Sequence, residues 1–274
     1  MMPRFFWPEF GILFVAALFG GLAVMPYVLR LLEGSRKKKP LKMSIGALVF
    51  LAFLQTAILS AIAIGLGLLA AHATGLGAPL LDAMLVGRVT GPSVALIVQR
   101  GIVLGVLAGL FLLIADLFFL PHWPEVLLDT ARKTTLWENF TASFYGGLNE
   151  EFLMRLFGLS VTAWLLSRIW HTPVGMPTGV VFWVANVIMA ALFSVGHLPA
   201  LKALVGTISP VMLTRTLLLN APIGLICGWL FWYYGIEAAV IAHFSADIVY
   251  HVIGTVVLRR KLASAGTRPS VTVA

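Results

Sequence analysis

Three charged residues, Glu150, Glu151 and Arg155, stand close together in an otherwise apolar part of the sequence. If this stretch is helical, Glu151 and Arg155 are four residues apart, share a face and can form an ion pair. Glu150 is rotated by about 100° from Glu151 and has Met154 at its own i+4 position. An unpaired carboxylate in apolar surroundings accepts a proton readily, which suits a general base. A purely structural charge cluster is the alternative.

Two later apolar segments also place polar groups one helical turn apart. Phe193 and His197 form one pair, and His243 and Asp247 form the other. A single histidine in a membrane helix more often makes a hydrogen bond to a neighbouring helix than it takes part in catalysis. Three segments that each supply inward polar groups favour a shared site. Other ionisable residues of the apolar stretches are Arg100, Asp116, Arg215, Glu237 and His251, of which we expect Asp116, Arg215 and Glu237 to be structural anchors near helix ends.

Composition identifies the elements that must position these residues. The 274 residues are 60% hydrophobic and 11% charged, against about 25% charged residues in a soluble domain. These values exclude a soluble fold and a disordered chain, and the single cysteine, Cys227, excludes a disulfide scaffold. The chain is therefore expected to be an integral membrane protein with room for seven or eight spans of about 20 residues.

Charge-free stretches without strand-like alternation predict an all-α, polytopic transmembrane helical bundle. We expect seven helices, or eight if the third segment is two shorter helices. They lie near residues 11–32, 44–70, 93–120, 140–167, 174–198, 209–234 and 236–258. One integral membrane domain then comprises N-terminal spans and an interfacial segment (1–139), motif-bearing helices (140–258) and a cytoplasmic tail (259–274). We expect residues 264–274 to be disordered.

The basic residues predict the orientation of the bundle. The run from Arg36 to Lys42 and the basic tail from Arg259 fall on the same side of seven spans, which the positive-inside rule assigns to the cytoplasm. This topology accounts for the net charge of +8, so no nucleic-acid partner is expected. Residues 122–139 alternate apolar and charged positions and predict either an interfacial helix on the lipid bilayer or a polar loop.

The motifs E-E-x-x-x-R, F-x-x-x-H and H-x-x-x-D, in this order on successive apolar helices, resemble the CPBP family. This family comprises the CAAX prenyl endopeptidases of the Ras-converting-enzyme type and the bacterial bacteriocin-processing and immunity proteins. The resemblance covers about residues 141–258.

The resemblance implies a glutamic-type intramembrane endopeptidase that acts on a membrane-associated peptide or protein and needs no cofactor or metal. Glu150, assisted by His197, would activate a water molecule, while His243 and Asp247 would stabilise the oxyanion. Glu151 would pair with Arg155 as a structural support, and Phe193 belongs to the supporting residues. Many prenyl proteases have Asn at the position of Asp247. The Asp form resembles the bacterial branch, which implies the bacterial inner membrane and places a prenylated substrate in doubt.

Two other functions are compatible with these residues. The first is a non-proteolytic membrane scaffold or bacteriocin-immunity factor, in which the motifs maintain the fold. The second is a zinc metalloprotease that uses Glu150, His197 and His243, although the sequence lacks H-E-x-x-H. For Glu150 and His197 to share a water, the fifth helix must continue towards Thr207, the helices must tilt, or a cavity must open to the cytoplasm.

Overall fold

A computed structural model of the chain describes residues 6–36, 43–87 and 93–266. The described residues form an all-α bundle without a strand, as predicted. The α-helices are α1 (Phe6–Ala23), α2 (Met25–Arg36), α3 (Ile45–Thr74), α4 (Pro79–Val86), α5 (Val94–Phe119), α6 (Glu125–Lys133), α7 (Leu136–Phe144), α8 (Ser160–Leu166), α9 (Gly179–Gly196), α10 (Leu198–Val205), α11 (Pro210–Tyr234), α12 (Ile236–Asp247) and α13 (Gly254–Gly266). π-Helical segments cover Tyr145–Glu150, Phe152–Leu159 and Ile248–Ile253.

Six of the described helical segments are long and apolar enough to cross a membrane. They are Phe6–Leu32, Ile45–Thr74, Val94–His122, Gly179–Val205, Pro210–Tyr234 and Ile236–Ala263. The third predicted segment is one helix, so the alternative of two shorter helices is wrong. The remaining predicted span, 140–167, is not among the six. It belongs to a continuous helix, here called the motif helix (residues 136–166), that joins α7 and α8 through two π-helical segments.

Hydroxyl side chains set the beginnings of several spans. Ser44, Ser93 and Ser209 each accept a hydrogen bond from the third backbone N–H of the helix that follows, satisfying a donor that has no partner within the helix. Thr178 does the same for α9. This helix therefore begins at Gly179 rather than at the predicted residue 174, because residues 171–177 form a turn closed by a bridge between His171 and Pro177.

Small residues bring α12 into close contact with α5. Gly101, Gly105 and Gly109 recur every four residues on the face of α5 that meets α12. A Cβ atom at Gly109 would lie 2.7 Å from the carbonyl oxygen of Ala246, and one at Gly105 would collide with the carbonyl of Ala242. Close backbone approach through a small-residue stripe is typical of membrane helices. It fixes the depth and rotation of the helix that carries His243 and Asp247.

One end of the bundle is closed by short helices. The segment Glu125–Lys133 is helical, so the polar-loop alternative is wrong there. Arg259 of α13 donates hydrogen bonds to the carbonyl oxygens of Arg132, at 3.1 Å, and of Thr134. Helix α13 continues to Gly266, which contradicts the disorder expected for residues 264–266. The basic residues 37–42 and the tail beyond 266 lie outside the described residues.

Candidate active site

A fully buried hydrogen-bonded cluster joins the motif helix to α12. Oε1 of Glu151 lies 2.8 Å from Nη1 of Arg155, so the structure contains the ion pair that the i, i+4 spacing predicts. The same oxygen lies 2.6 Å from Nδ1 of His243. The side chains of Glu151 and Arg155 are 0% and 2% exposed. The carboxylate therefore holds a cation and an imidazole together, which lowers the cost of burying all three groups.

This cluster fixes the tautomer of His243. A carboxylate only accepts hydrogen bonds, so Nδ1 of His243 must be the donor to Glu151. The Nε2 atom of a neutral His243 then presents a lone pair, and a proton there makes the ring cationic. Glu151 thus orients the ring and determines which nitrogen faces the open part of the site.

Arg155 connects the cluster to two further helices. Its Nη2 donates a hydrogen bond to the carbonyl oxygen of Gly224 on α11, at 3.1 Å. Its guanidinium carbon lies 4.9 Å from the ring centroid of Phe193, a cation–π distance. Phe193 in turn packs edge-on against both His243, at 5.7 Å between ring centroids, and His197, at 4.7 Å. The aromatic ring therefore separates and orients the two imidazoles.

His197 lies at the junction between α9 and α10. Its Nδ1 is 2.8 Å from the carbonyl oxygen of Phe193, which fixes the ring against the last turn of α9. The helical path continues beyond His197 as α10 to Val205, and Gly179–Val205 is long and apolar enough to be one span. The continuation towards Thr207, one of the three conditions under which Glu150 and His197 could share a water, is therefore present as far as Val205.

Glu150 differs from its neighbour Glu151 in its surroundings. Its side chain is 27% exposed, and its Oε2 lies 3.8 Å from Nε2 of His243. This separation is longer than a direct hydrogen bond. Glu150 thus faces the free nitrogen of His243 without contacting it, whereas Glu151 is bonded to the other nitrogen.

Asp247 lies beside the same nitrogen. Its Oδ1 is 3.8 Å from Nε2 of His243 and 3.8 Å from Nε2 of His251. Its other oxygen faces the motif helix, where a Cβ atom at Gly146 would lie only 2.5 Å away. A side chain at position 146 would displace Asp247, so glycine is required here for the two helices to approach.

Unusual backbone geometry surrounds these residues. Both glutamates lie at the junction of two π-helical segments, and His251 lies inside the third. π-Helical turns add a residue to a turn and occur frequently at functional sites. Around His251, Asn139 of α7 and Thr255 donate hydrogen bonds to the carbonyl oxygen of His251. No period in the sequence signals these turns.

The zinc set considered from the sequence does not assemble. Among the described residues, one set of three possible metal ligands has its ligand atoms all within 4.8 Å of one another. That set is Glu151, Cys227 and His243, and not Glu150, His197 and His243. Arg155 lies against the carboxylate oxygen of Glu151 that also contacts His243. A guanidinium at this oxygen opposes a metal cation by charge repulsion.

Three ionisable residues outside the motifs have anchoring contacts. Arg215 forms a bidentate pair with Asp116, with distances of 2.5 and 2.7 Å, and Tyr250 donates to the same carboxylate at 2.6 Å. Glu237 accepts hydrogen bonds from the backbone N–H groups of Leu80 and Leu81 and caps α4. Sequence spacing did not predict these partners, because they lie on helices distant in the chain.

Comparison with known proteins gives one family. Residues 132–249 match the family model described as Rce1-like, type II CAAX prenyl endopeptidase Rce1-like. The match covers a little under half of the chain and includes all three motifs. No curated protein and no solved structure matches the chain.

This segment is a domain of the CPBP/CAAX protease family, which confirms the resemblance predicted from the motifs. The match indicates a protease, that is, a hydrolase, and the six apolar helices indicate an integral membrane protein.

Proposed function

We propose that the chain hydrolyses a peptide bond of a membrane-associated peptide or protein with a water molecule activated by Glu150. The observation that carries this proposal is the contrast between the adjacent carboxylates. Glu151 is completely buried and bonded to both Arg155 and His243, whereas Glu150 is partly exposed and faces the remaining nitrogen of His243. Only Glu150 has an oxygen available to water and substrate, as a general base requires.

The separation of Glu150 and His243 suits a reacting oxygen. A water oxygen can lie about 2.8 Å from both Oε2 of Glu150 and Nε2 of His243, because these atoms are 3.8 Å apart. Glu150 takes a proton from this water as its oxygen attacks the carbonyl carbon of the peptide bond. The same proton then passes to the leaving nitrogen, so the carboxylate is regenerated and no covalent enzyme intermediate forms.

His243 and Asp247 supply the group that faces the developing oxyanion. The lone pair on Nε2 of His243 and a carboxylate oxygen of Asp247 would both repel an oxyanion. One proton must therefore be bound to His243 or Asp247, so that this residue can donate a hydrogen bond to the oxyanion. We assign this proton to Asp247, whose other oxygen lies against Gly146 and whose side chain is 16% exposed. His197, oriented by Phe193, assists from the α9–α10 junction.

The substrate remains to be tested with matched peptides. The family model is described as a CAAX prenyl endopeptidase, which suggests a farnesylated peptide with a C-terminal CAAX sequence. Asp247 departs from the Asn of many prenyl proteases and favours an unprenylated substrate. A bacterial inner membrane, with the α6, α10 and α13 end of the bundle in the cytoplasm, completes the proposal.

The central experiment compares wild type with Glu150→Gln in two assays. Purified full-length protein in liposomes is mixed with a fluorophore–quencher CAAX peptide in farnesylated and unmodified forms. Newly formed peptide N-termini are also compared in membranes of cells that express either protein. We expect cleavage by wild type and a loss of about 10²–10⁴-fold in Glu150→Gln, the usual contribution of a general base.

Glu125→Gln is the matched control. Glu125 is an exposed glutamate on α6 that pairs with Arg132, so this variant should retain wild-type turnover. Equal cleavage by wild type and Glu150→Gln would refute the general-base role. The non-proteolytic scaffold would be favoured if wild type cleaves neither peptide and its membranes contain no new N-terminus that is absent from Glu150→Gln.

A further inference from the structure

His251 is an imidazole beside the site that none of the three motifs includes. It lies two residues beyond the segment that matches the family model. Its Nε2 is 3.8 Å from Oδ1 of Asp247, the same oxygen that lies 3.8 Å from His243. The sequence from 243 to 251 has the pattern H-x-x-x-D-x-x-x-H. In the structure, one carboxyl oxygen of Asp247 lies between the two imidazoles.

The two imidazoles differ in how far they are exposed at the surface of the bundle. The side chain of His243 is 6% exposed and its Nδ1 is bonded to Glu151. The side chain of His251 is 45% exposed. A proton shared by His243 and Asp247 is thus enclosed on the side of His243, whereas the side of His251 lies at the surface of the bundle.

The backbone of His251 is held in place by contacts unrelated to its side chain. Its carbonyl oxygen accepts hydrogen bonds from Asn139, at 3.0 Å, and from Thr255, at 2.6 Å. Asn139 is itself buried and also donates to the hydroxyl of Thr255. The π-helical segment Ile248–Ile253 is therefore anchored to α7 while the ring of His251 faces Asp247.

We infer that His251 is a positioning residue that faces Asp247 from the exposed side of the pair and exchanges with water the proton that Asp247 shares with His243. This inference rests on the proposed function of the site. In the exchange, the O–H bond of protonated Asp247 breaks as an N–H bond forms at Nε2 of His251. The Nδ1 proton of His251 then passes to water, so charge and protons balance. The exchange requires the 3.8 Å gap to close to hydrogen-bonding distance, and catalytic hydrogen bonds often tighten in this way when substrate binds.

Other ionisable groups act on this pair and must be considered in any pH profile. The groups on neighbouring elements that lie close enough to act electrostatically on Asp247 or His251 are Tyr27 of α2, Glu150 and Glu151 of the motif helix, Asp116 of α5, His197 of the α9–α10 junction, and Arg215 and Cys227 of α11.

The test compares His251→Ala, His251→Gln and the control His171→Gln. His171 is an exposed histidine before the start of α9, at the opposite end of that helix from His197. We expect His251→Ala to lower kcat about tenfold at unchanged KM on the peptide that wild type cleaves. His251→Gln keeps a side chain able to hydrogen-bond Asp247 and should recover most of kcat, but without the wild-type dependence on pH.

A second measurement does not depend on turnover. In ¹⁵N-histidine-labelled protein, the ring signals of His243 are identified by their absence from His243→Gln, and their exchange with water is measured. We expect slower exchange in both His251 variants and wild-type exchange in His171→Gln. Unchanged exchange, or wild-type kcat in His251→Ala, would overturn the inference.

Glu150→Gln in the same series separates the two proposals. If it is inactive while the His251 variants behave as wild type, only the role of His251 fails. If it is active, the proposed function fails, whereas the exchange measurement still decides whether His251 connects His243 to water.

Discussion

Two buried charged clusters lie in this bundle, and they differ in how completely their atoms are paired. In the anchor cluster (Asp116, Arg215 and Tyr250), both carboxylate oxygens of Asp116 accept short hydrogen bonds. In the site cluster (Glu150, Glu151, Arg155, His243 and Asp247), Glu151 uses one oxygen, Oε1, for both Arg155 and His243, and Glu150 and Asp247 remain 3.8 Å from His243.

The comparison shows that burial of charge does not by itself identify a catalytic group. Both clusters pair a carboxylate with an arginine, and in both the pair lowers the cost of burial. Only the site cluster also contains acid groups whose oxygens stay free for water or substrate. A fully paired cluster stabilises the bundle, whereas a partly paired one can carry out chemistry.

The largest effect is expected from breaking the paired half of the site cluster. Glu151→Gln or Arg155→Leu leaves a buried charge without its partner, which should cost about 3–5 kcal/mol. Thermal unfolding is measured through the single cysteine, Cys227, which is fully buried and reacts with a thiol-specific dye only when the bundle opens. Wild-type stability in both variants would show that the pair is not a support.

Substitutions in the unpaired half of the site cluster, such as those of Asp247, should change the rate of hydrolysis and not the stability of the bundle. If Asp247 donates a hydrogen bond to the oxyanion, Asp247→Asn should remain active, also at higher pH, and Asp247→Ala should lose about 10²–10³ in rate. If Asp247 instead accepts a hydrogen bond and orients His243, Asn should be nearly as damaging as Ala. The pH–rate profiles of the three proteins distinguish these models, and a folded but inactive Asn variant would contradict the donor model.

The anchor cluster should show the opposite pattern. Asp116→Asn leaves Arg215 without its carboxylate, and because that side chain is 14% exposed we expect a smaller loss of stability, about 2 kcal/mol. Turnover per folded molecule should remain at the wild-type level. The double variant Asp116→Asn with Arg215→Met removes both charges and should recover stability. A selective loss of turnover would mean that this cluster is not purely structural.

A third cluster of ionisable residues should have the smallest effect on stability, and this effect should depend on pH. Asp82 of α4 faces Glu9, with His72 and Glu237 nearby. Burial, the hydrogen bond to Glu9 and the charges of Glu9 and Glu237 together raise the pKa of Asp82 to about 7, against the lowering effect of His72.

An acid with a raised pKa binds its proton more tightly in the folded chain than in the unfolded one. The stability that this proton provides is therefore lost as pH rises from about 4 through about 7. We expect Tm to fall across this range in wild type and to change less in Asp82→Asn. Glu125→Gln, at the other end of the bundle, should keep the wild-type slope. If Tm changes with pH to the same extent in wild type and in Asp82→Asn, protonation of Asp82 does not cause the pH dependence.

Local features of the sequence determined the fold class and the pairing on the motif helix. Long apolar runs without charge predict membrane spans. A helix pairs all the backbone N–H and C=O groups of such a run within the run itself, which the bilayer requires because it offers them no partner. Ser44, Ser93 and Ser209 mark helix starts through contacts three residues away. The Glu151–Arg155 pair follows from helical spacing alone, since both residues lie on one turn.

Tertiary structure alone decided which polar groups meet. The contact between Glu151 and His243 joins residues 92 positions apart, and the pairing of Asp116 with Arg215 joins residues 99 positions apart. Spacing along one helix cannot supply such contacts, because they depend on how neighbouring helices rotate and how closely glycines such as Gly105 and Gly146 let them approach. The position of His251 beside Asp247 depends in addition on a π-helical turn. The carbonyl oxygen of His251 in that turn accepts a hydrogen bond from Asn139 of another helix, a contact that only the packing of the two helices supplies.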